Sequence, residues 1–373
     1  MEDENSLHNL LSAIDYPLII SVLAVYAIGV ATIYSAAGGS ERLGEFYASR
    51  QLIWGGVACV AFAVTLRLDF EFLFEKSYWI YGACCALLFF LLIAGRTVKG
   101  AQSWIDLGAF RVQPAEFAKL GLAFAMAKFL TQFPPTNVKN FLFAIAIGGV
   151  SLLLVVLQPD LGSALVFCVV IFVSLLVAGT PRQYLLSLVG AGAVTLPFGW
   201  LMLKSYQKNR ILVFLNPELD PLGAGYNVIQ SRIAVGSGHF WGKGFLQGAQ
   251  SKLRFLPEPH TDFIFSVYAE EFGLVGCFVL LFLLAFIIWR LLRIALLSRN
   301  VSSKILIAAL AASFWFHCFE SIGMCMGLLP VTGLPLPLMS YGGSSLLSTI
   351  LTIAIAVKLG ANDELLRRMG EVG

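Results

Sequence analysis

Ten apolar runs, near residues 16–36, 51–66, 77–95, 115–131, 141–157, 163–179, 184–203, 263–289, 304–326 and 343–359, occupy most of this 373-residue chain. A helix needs about 20 mostly apolar residues to cross a bilayer, and within hydrocarbon it must satisfy its own backbone N–H and C=O groups. A chain that repeats such runs is confined to a helical membrane bundle. We therefore expect an all-α integral membrane protein with about ten transmembrane helices. Charge agrees: Asp, Glu, Lys and Arg make up 13% of the residues, against about a quarter in soluble globular domains.

A net charge of +3 argues against nucleic acid as a partner. Cys59, Cys84, Cys85, Cys168, Cys277, Cys318 and Cys325 all lie in apolar runs, with no CxxC or Cys/His spacing suited to a metal, and read as small hydrophobes. The N-terminal MEDENSLHNLLSAID is acidic, and the apolar run after it is too long for a cleaved signal, so a retained first span is expected.

Lys and Arg set the orientation. With the N-terminus inside, the inner loops and C-tail hold twelve of them and the short outer loops hold six (Arg42, Arg50, Arg96, Lys99, Arg111, Lys119). Cytoplasmic enrichment of this kind favours an N-in, C-in arrangement. The chain then reads as one polytopic domain with a cytoplasmic N-tail at 1–15, a long extracytoplasmic loop at 204–262 and a cytoplasmic C-tail at 360–373. The Pro- and Gly-rich GLLPVTGLPLPLMSYGGSS (327–345) breaks helical geometry at membrane depth, which is tolerated only where backbone is buried or lines a wet cavity. Ser340 and Tyr341 in that segment are candidate cavity residues.

Ionisable groups in or beside spans are costly, so they are candidates for function. Glu116 and Lys119 stand three residues apart and share a helix face, where an ion pair shaping a cavity is expected. Asp160 after Pro159 suits an N-cap. Glu270 and Glu271 lie two turns into the eighth run, and His317 and Glu320 in the ninth. Asp262, in FLPEPHTDFIFSVYAEEFG (255–273), sits where polar chain meets an apolar helix, stiffened by Pro257 and Pro259, with His260 and Thr261 placed to hydrogen-bond it or a substrate. Phe263 and Phe265 strip water from that carboxylate, which raises its pKa toward the range of a general base. The residues alone leave catalysis and helix capping open for it.

The long loop adds Lys204, Lys208, Arg210, Arg232, Lys243, Lys252 and Arg254. Its YNVIQSRIAVGSG places Tyr226, Ile229, Ile233 and Val235 on a rough stripe, as in a short interfacial helix. GSGHFWGKGF fails as a phosphate loop, because Ser237 and Gly244 stand where Gly and Ser/Thr are required. An outward acid, several cations and a lipid-facing surface suit a sugar diphosphate on a long lipid. A transporter with a charged vestibule fits the same composition.

Five runs resemble one family in order and along nearly the whole chain: KGAQSWIDLGAFRVQPAEFAK, QPDLGSA, NPELDPLGAGYNVIQSRIAVGSG, GKGFLQGAQSKLRFLPEPHTDFIFSVYAEEFGLVG and GLLPVTGLPLPLMSYGGSS. The chain is similar to the SEDS proteins (shape, elongation, division and sporulation), and DPLGAGYNVIQSRIAVGSG resembles the rod-shape branch more than the division branch. That resemblance implies a ten-helix glycosyltransferase of the bacterial inner membrane that polymerises lipid II into peptidoglycan during elongation. It implies a class B penicillin-binding protein, the elongation complex, undecaprenyl-linked glycan and membrane lipid as partners. It makes Asp262 the essential aspartate and places Glu116, Lys119 and Asp160 along the central cavity. Pro259, Tyr268 and Glu320 depart from the family pattern without removing a motif residue.

The chemistry that follows is inverting transfer. Asp262 acts as general base on an acceptor sugar hydroxyl, and Arg111, Lys204, Arg210 and Lys243 are candidates to stabilise the departing diphosphate. A divalent cation at the diphosphate is an alternative source of that charge, although no ligand cluster demands one. A lipid II flippase and a scaffold that activates the penicillin-binding protein are the competing functions.

Overall fold

The computed structural model describes residues 12–37, 41–98, 101–106, 108, 111–220, 223–253 and 255–371. Most of the N-tail and Arg254 lie outside the described residues. The helices are α1 (Tyr16–Ala36), α2 (Glu41–Arg67), α3 (Phe70–Glu75), α4 (Ser77–Ala94), α5 (Pro114–Gln132), α6 (Val138–Leu157), α7 (Leu161–Val177), α8 (Arg182–Met202), α9 (Ser205–Leu215), α10 (Ala224–Ser237), α11 (Ala249–Lys252), α12 (Ile264–Leu297), α13 (Val301–Cys325) and α14 (Gly343–Glu371). Every expected apolar run forms a helix. Among the described residues eight helices are long and apolar enough to cross a membrane. Of the other two, α7 has 17 residues, and α5 carries Glu116, Lys119 and Lys128.

That charge explains where α5 sits. Ala, Gly and Leu cover most of its circumference, and its residues are buried almost throughout. Ionisable groups within a span face the bundle interior rather than lipid, so a helix that carries them belongs at its centre. Around it pack α4, α6, α7, α13 and α14, while α2 lies along α14 and α1 along α12. By contrast, α8 is exposed along nearly its whole length.

Two parts differ from the sequence expectation. The segment expected as an outer loop after α4 contains three short antiparallel strands, β1 (Arg96–Val98), β2 (Ala101–Asp106) and β3 (Arg111–Val112), in the order β1-β2-β3. The expected C-tail from residue 360 is a continuation of α14 to Glu371. At that end of the bundle Asp15 meets Arg290 (Oδ2 to Nη2, 2.5 Å), Ser298 donates to Asp363 and Arg367 donates to the Leu297 carbonyl. The start of α1 and the last turns of α14 therefore both meet the far end of α12.

The 34-residue α12 is broken at Gly273, whose φ of +63° and ψ of −162° leave the helical region. A break strips neighbouring backbone groups of their helical partners. The glycine-rich segment before it supplies replacements: Leu274 N–H donates to His239 O and Val275 N–H to Phe240 O, while Lys243 N–H and Gly244 N–H donate to Glu270 O and Glu271 O. The backbone N–H groups that a phosphate loop would aim at a ligand are used here to splice a helix. In α10 the side packed on the protein is Val228, Ser231 and Ala234, while Ile233 of the apolar stripe is exposed. Small residues bring α10 close enough for Ser231 Oγ to reach Ser266 Oγ and the Cys325 carbonyl, both at 2.7 Å.

Candidate functional site

The segment carrying Asp262 owes its position to another part of the chain. Tyr341 N–H donates to His260 O (2.9 Å), and Ser340 Oγ–H donates to Thr261 O (2.7 Å) while accepting from Leu336 N–H (2.9 Å). From α2, fully buried Gln51 donates to Ser340 O and accepts from Gly342 N–H, each at 3.3 Å. Tyr47 stacks on His260 with ring centroids 4.2 Å apart. Beneath this frame Phe263, Ile264 and Phe265 are buried in the core. Local sequence thus makes the seam between polar chain and helix, and the 336–342 segment holds it in place.

Asp262 is half-buried and lines a cavity of about 780 Å³ at this end of the bundle. It is not the cap of α12: that position belongs to Phe263, and no side chain caps the helix there. Of the two roles the residues left open, capping is the one the structure does not show.

Asp160 lines the same cavity and does cap a helix. Its Oδ1 accepts from Ser163 N–H (3.0 Å), and its Oδ2 accepts from Ser163 Oγ (2.9 Å) and Gln113 Nε2 (3.1 Å). Burial raises its pKa above the ordinary carboxylate value, against the lowering effect of the Ser163 and Gln113 hydrogen bonds.

Glu116 and Lys119 do pair, Oε2 to Nζ at 2.8 Å, with both side chains nearly sealed from solvent. Lys119 Nζ is also 3.0 Å from His317 Nε2, and Ser348 Oγ donates to Glu116. This network joins α5, α13 and α14. It is not among the residues facing the 780 Å³ cavity, so the pair braces the bundle beside that cavity rather than lining it.

The cations divide. Arg111 and Arg210 line the cavity, as expected. Lys204 and Lys243 do not. Lys204 is exposed at the start of α9, and Lys243 Nζ lies 2.6 Å from buried Glu270, a partner that sequence spacing gave no means of choosing. His260, Thr261 and Tyr341 face the cavity, while Ser340 stands behind them as a brace. Several lining residues escaped the sequence reading, among them Arg50, Tyr47, Gln113, Tyr206 and Thr332. Arg50 entered only as a loop charge, and its place on the α2 wall depends on α2 packing along α14. Among the described residues no three His, Cys, Asp or Glu side chains gather as a metal site.

The arrangement brings Asp160 and Asp262, three arginines (Arg50, Arg111 and Arg210) and an aromatic wall to one chamber large enough for a sugar. Residues 16–364 match the family described as cell cycle protein, which joins FtsW, RodA and SpoVE. A peptidoglycan glycosyltransferase of Escherichia coli, MrdB, is 37% identical over 357 residues, covering 95% of each chain. A solved chain described under the structural coordination of polymerization and crosslinking by a peptidoglycan synthase complex superposes with a TM-score of 0.81 at 34% identity, over 94% of this chain and 98% of that one. The rod shape determining protein RodA of Thermus thermophilus superposes with a TM-score of 0.71 at 31% identity, over 93% and 96%.

Proposed function

The chain belongs to the FtsW/RodA/SpoVE family, and we propose that it is a peptidoglycan glycosyltransferase that polymerises lipid II, with Asp262 as general base. The observation that carries this reading is the common cavity: Asp262 shares one chamber with Arg111 and Arg210. Base and charge-stabilising groups must act on the same substrate, and separate pockets would not serve.

Asp262 takes the proton from the 4-hydroxyl of an acceptor N-acetylglucosamine. The oxygen attacks C1 of the donor N-acetylmuramic acid from the face opposite the diphosphate. As that bond forms, the C1–oxygen bond to undecaprenyl diphosphate breaks and the anomeric configuration inverts. One carboxylate suffices, because no covalent enzyme intermediate forms. The leaving group departs already charged, so it needs cations more than an acid, and Arg210 and Arg111 are placed for that role. A divalent cation at the diphosphate would add to the same charge stabilisation.

The multi-pass helical bundle supports residence in a membrane, and in this reading it is the bacterial inner membrane with the cavity facing outward. The likeness to a chain from a peptidoglycan synthase complex supports a class B penicillin-binding protein as partner within the elongation machinery. The test is polymer formation by the purified chain from lipid II, beside Asp262→Asn. Loss of a general base lowers such rates by about 10²–10⁴-fold. Equal rates in the two proteins would remove Asp262 from the chemistry, and lipid movement across vesicles without polymer would assign transport instead.

A further inference from the structure

Glu320 is 2% exposed, near the end of α13. One of its oxygens accepts a hydrogen bond from the Thr332 hydroxyl, and the other is buried without a protein partner. A purely structural position of this depth is filled at lower cost by an apolar side chain of similar volume. What Thr332 does next supplies a reason for the carboxyl. Its carbonyl accepts from Arg210 Nη1 at 3.3 Å, across 122 residues of sequence, while the Arg210 guanidinium stands over the Tyr206 ring.

The following residue, Gly333, has a φ of +82°, and Asp262 Oδ2 lies 3.8 Å from the point where a Cβ would project. A single peptide, Thr332–Gly333, therefore bonds the cation of the cavity and runs beside its base, and Glu320 tethers it from behind. Glu320 also feels the negative charge of Asp262 and the positive charge of Arg210.

We propose that Glu320 is a positioning residue for the glycosyl transfer: through Thr332 it holds Arg210 where the leaving diphosphate develops and keeps the cavity wall against Asp262. This rests on the reading of Arg210 given above. No substrate contact is assigned to Glu320. It acts through the wall, so removing it costs only what Arg210 and Asp262 lose in placement.

The test is a double-mutant cycle on the purified full-length chain, with initial rates of lipid II polymerisation and thermal unfolding measured for each variant. Glu320→Ala and Thr332→Val should each lower kcat about tenfold, because each cuts the same tether. Glu320→Gln, whose amide oxygen still accepts from Thr332, should recover most of the rate. Glu320→Ala combined with Arg210→Ala should lose less than the product of the two single losses, since the part of the Glu320 effect that runs through Arg210 is already gone. A merely stabilising role would lower the unfolding temperature and multiply with the Arg210 loss. Full additivity, or a folded Glu320→Gln as slow as Glu320→Ala, would overturn the proposal. A wild-type rate for Arg210→Ala would instead overturn the underlying assignment of that cation.

Discussion

Lys243 Nζ lies 2.6 Å from Glu270 Oε1, and the carboxylate it meets is completely buried. Glu270 also accepts from the backbone N–H groups of Ala249 (3.0 Å) and Gln250 (3.2 Å). One side chain thus gathers α10's end, the glycine-rich segment and α11 onto the first half of α12.

Lys243→Met should therefore act on stability rather than on chemistry. Breaking a buried pair costs about 3–5 kcal/mol, but Lys243 is about a third exposed, so solvent screens part of the loss and about 1–3 kcal/mol is expected. Thermal unfolding in detergent measures it. A folded Lys243→Met with a strongly reduced polymerisation rate would return this lysine to the catalytic cations.

The Glu116–Lys119 pair has almost no solvent to screen it. Lys119→Met strands a buried carboxylate and should destabilise the chain by about 3–5 kcal/mol. Replacing both residues with Met removes the stranded charge as well, so the double variant should unfold at a higher temperature than Lys119→Met. If the double variant is the less stable of the two, the pair contributes more than mutual neutralisation.

Gly273→Ala should loosen the splice in α12. Its positive φ already disfavours a side chain, and the added Cβ would lie 2.3 Å from the Gly242 nitrogen. Backbone of this kind costs about 1–3 kcal/mol before any clash. Limited proteolysis across residues 239–247 should accelerate in the variant. Unchanged cleavage would show that the segment holds without the break.

Asp160 supplies a pH dependence. In the folded chain it keeps its proton to a higher pH than in the unfolded chain, because burial opposes ionisation. Its contribution to stability is thus fully present below the ordinary carboxylate pKa and falls as pH rises through the raised one. Asp160→Asn cannot titrate there, so its stability relative to wild type should improve across that window and then level. Unfolding temperatures of both proteins through the acid range check the sign. A gap that instead widens against the variant would mean the ionised form is the better bound.

The parts legible in the residues were those set by local rules. Apolar length located the ten helices, because a span must satisfy its own backbone. Asp160 reads as a cap because a cap lies within three residues of its donors, as Ser163 does here. Glu116 and Lys119 read as a pair for the same reason of spacing. The reading failed where the partner is remote: Glu270 took Lys243 away from the cavity.

A helical membrane bundle with charged groups at its two ends follows from amino-acid order alone, since hydrocarbon leaves such a chain no other way to satisfy its backbone. Which of those charges meet in one chamber was settled by packing. Gln51 reaches Ser340 across 289 residues, Ser348 reaches Glu116 across 232, and Arg210 reaches Thr332 across 122. Contacts at such separations depend on how helices lie against one another, and no spacing rule along the chain encodes that.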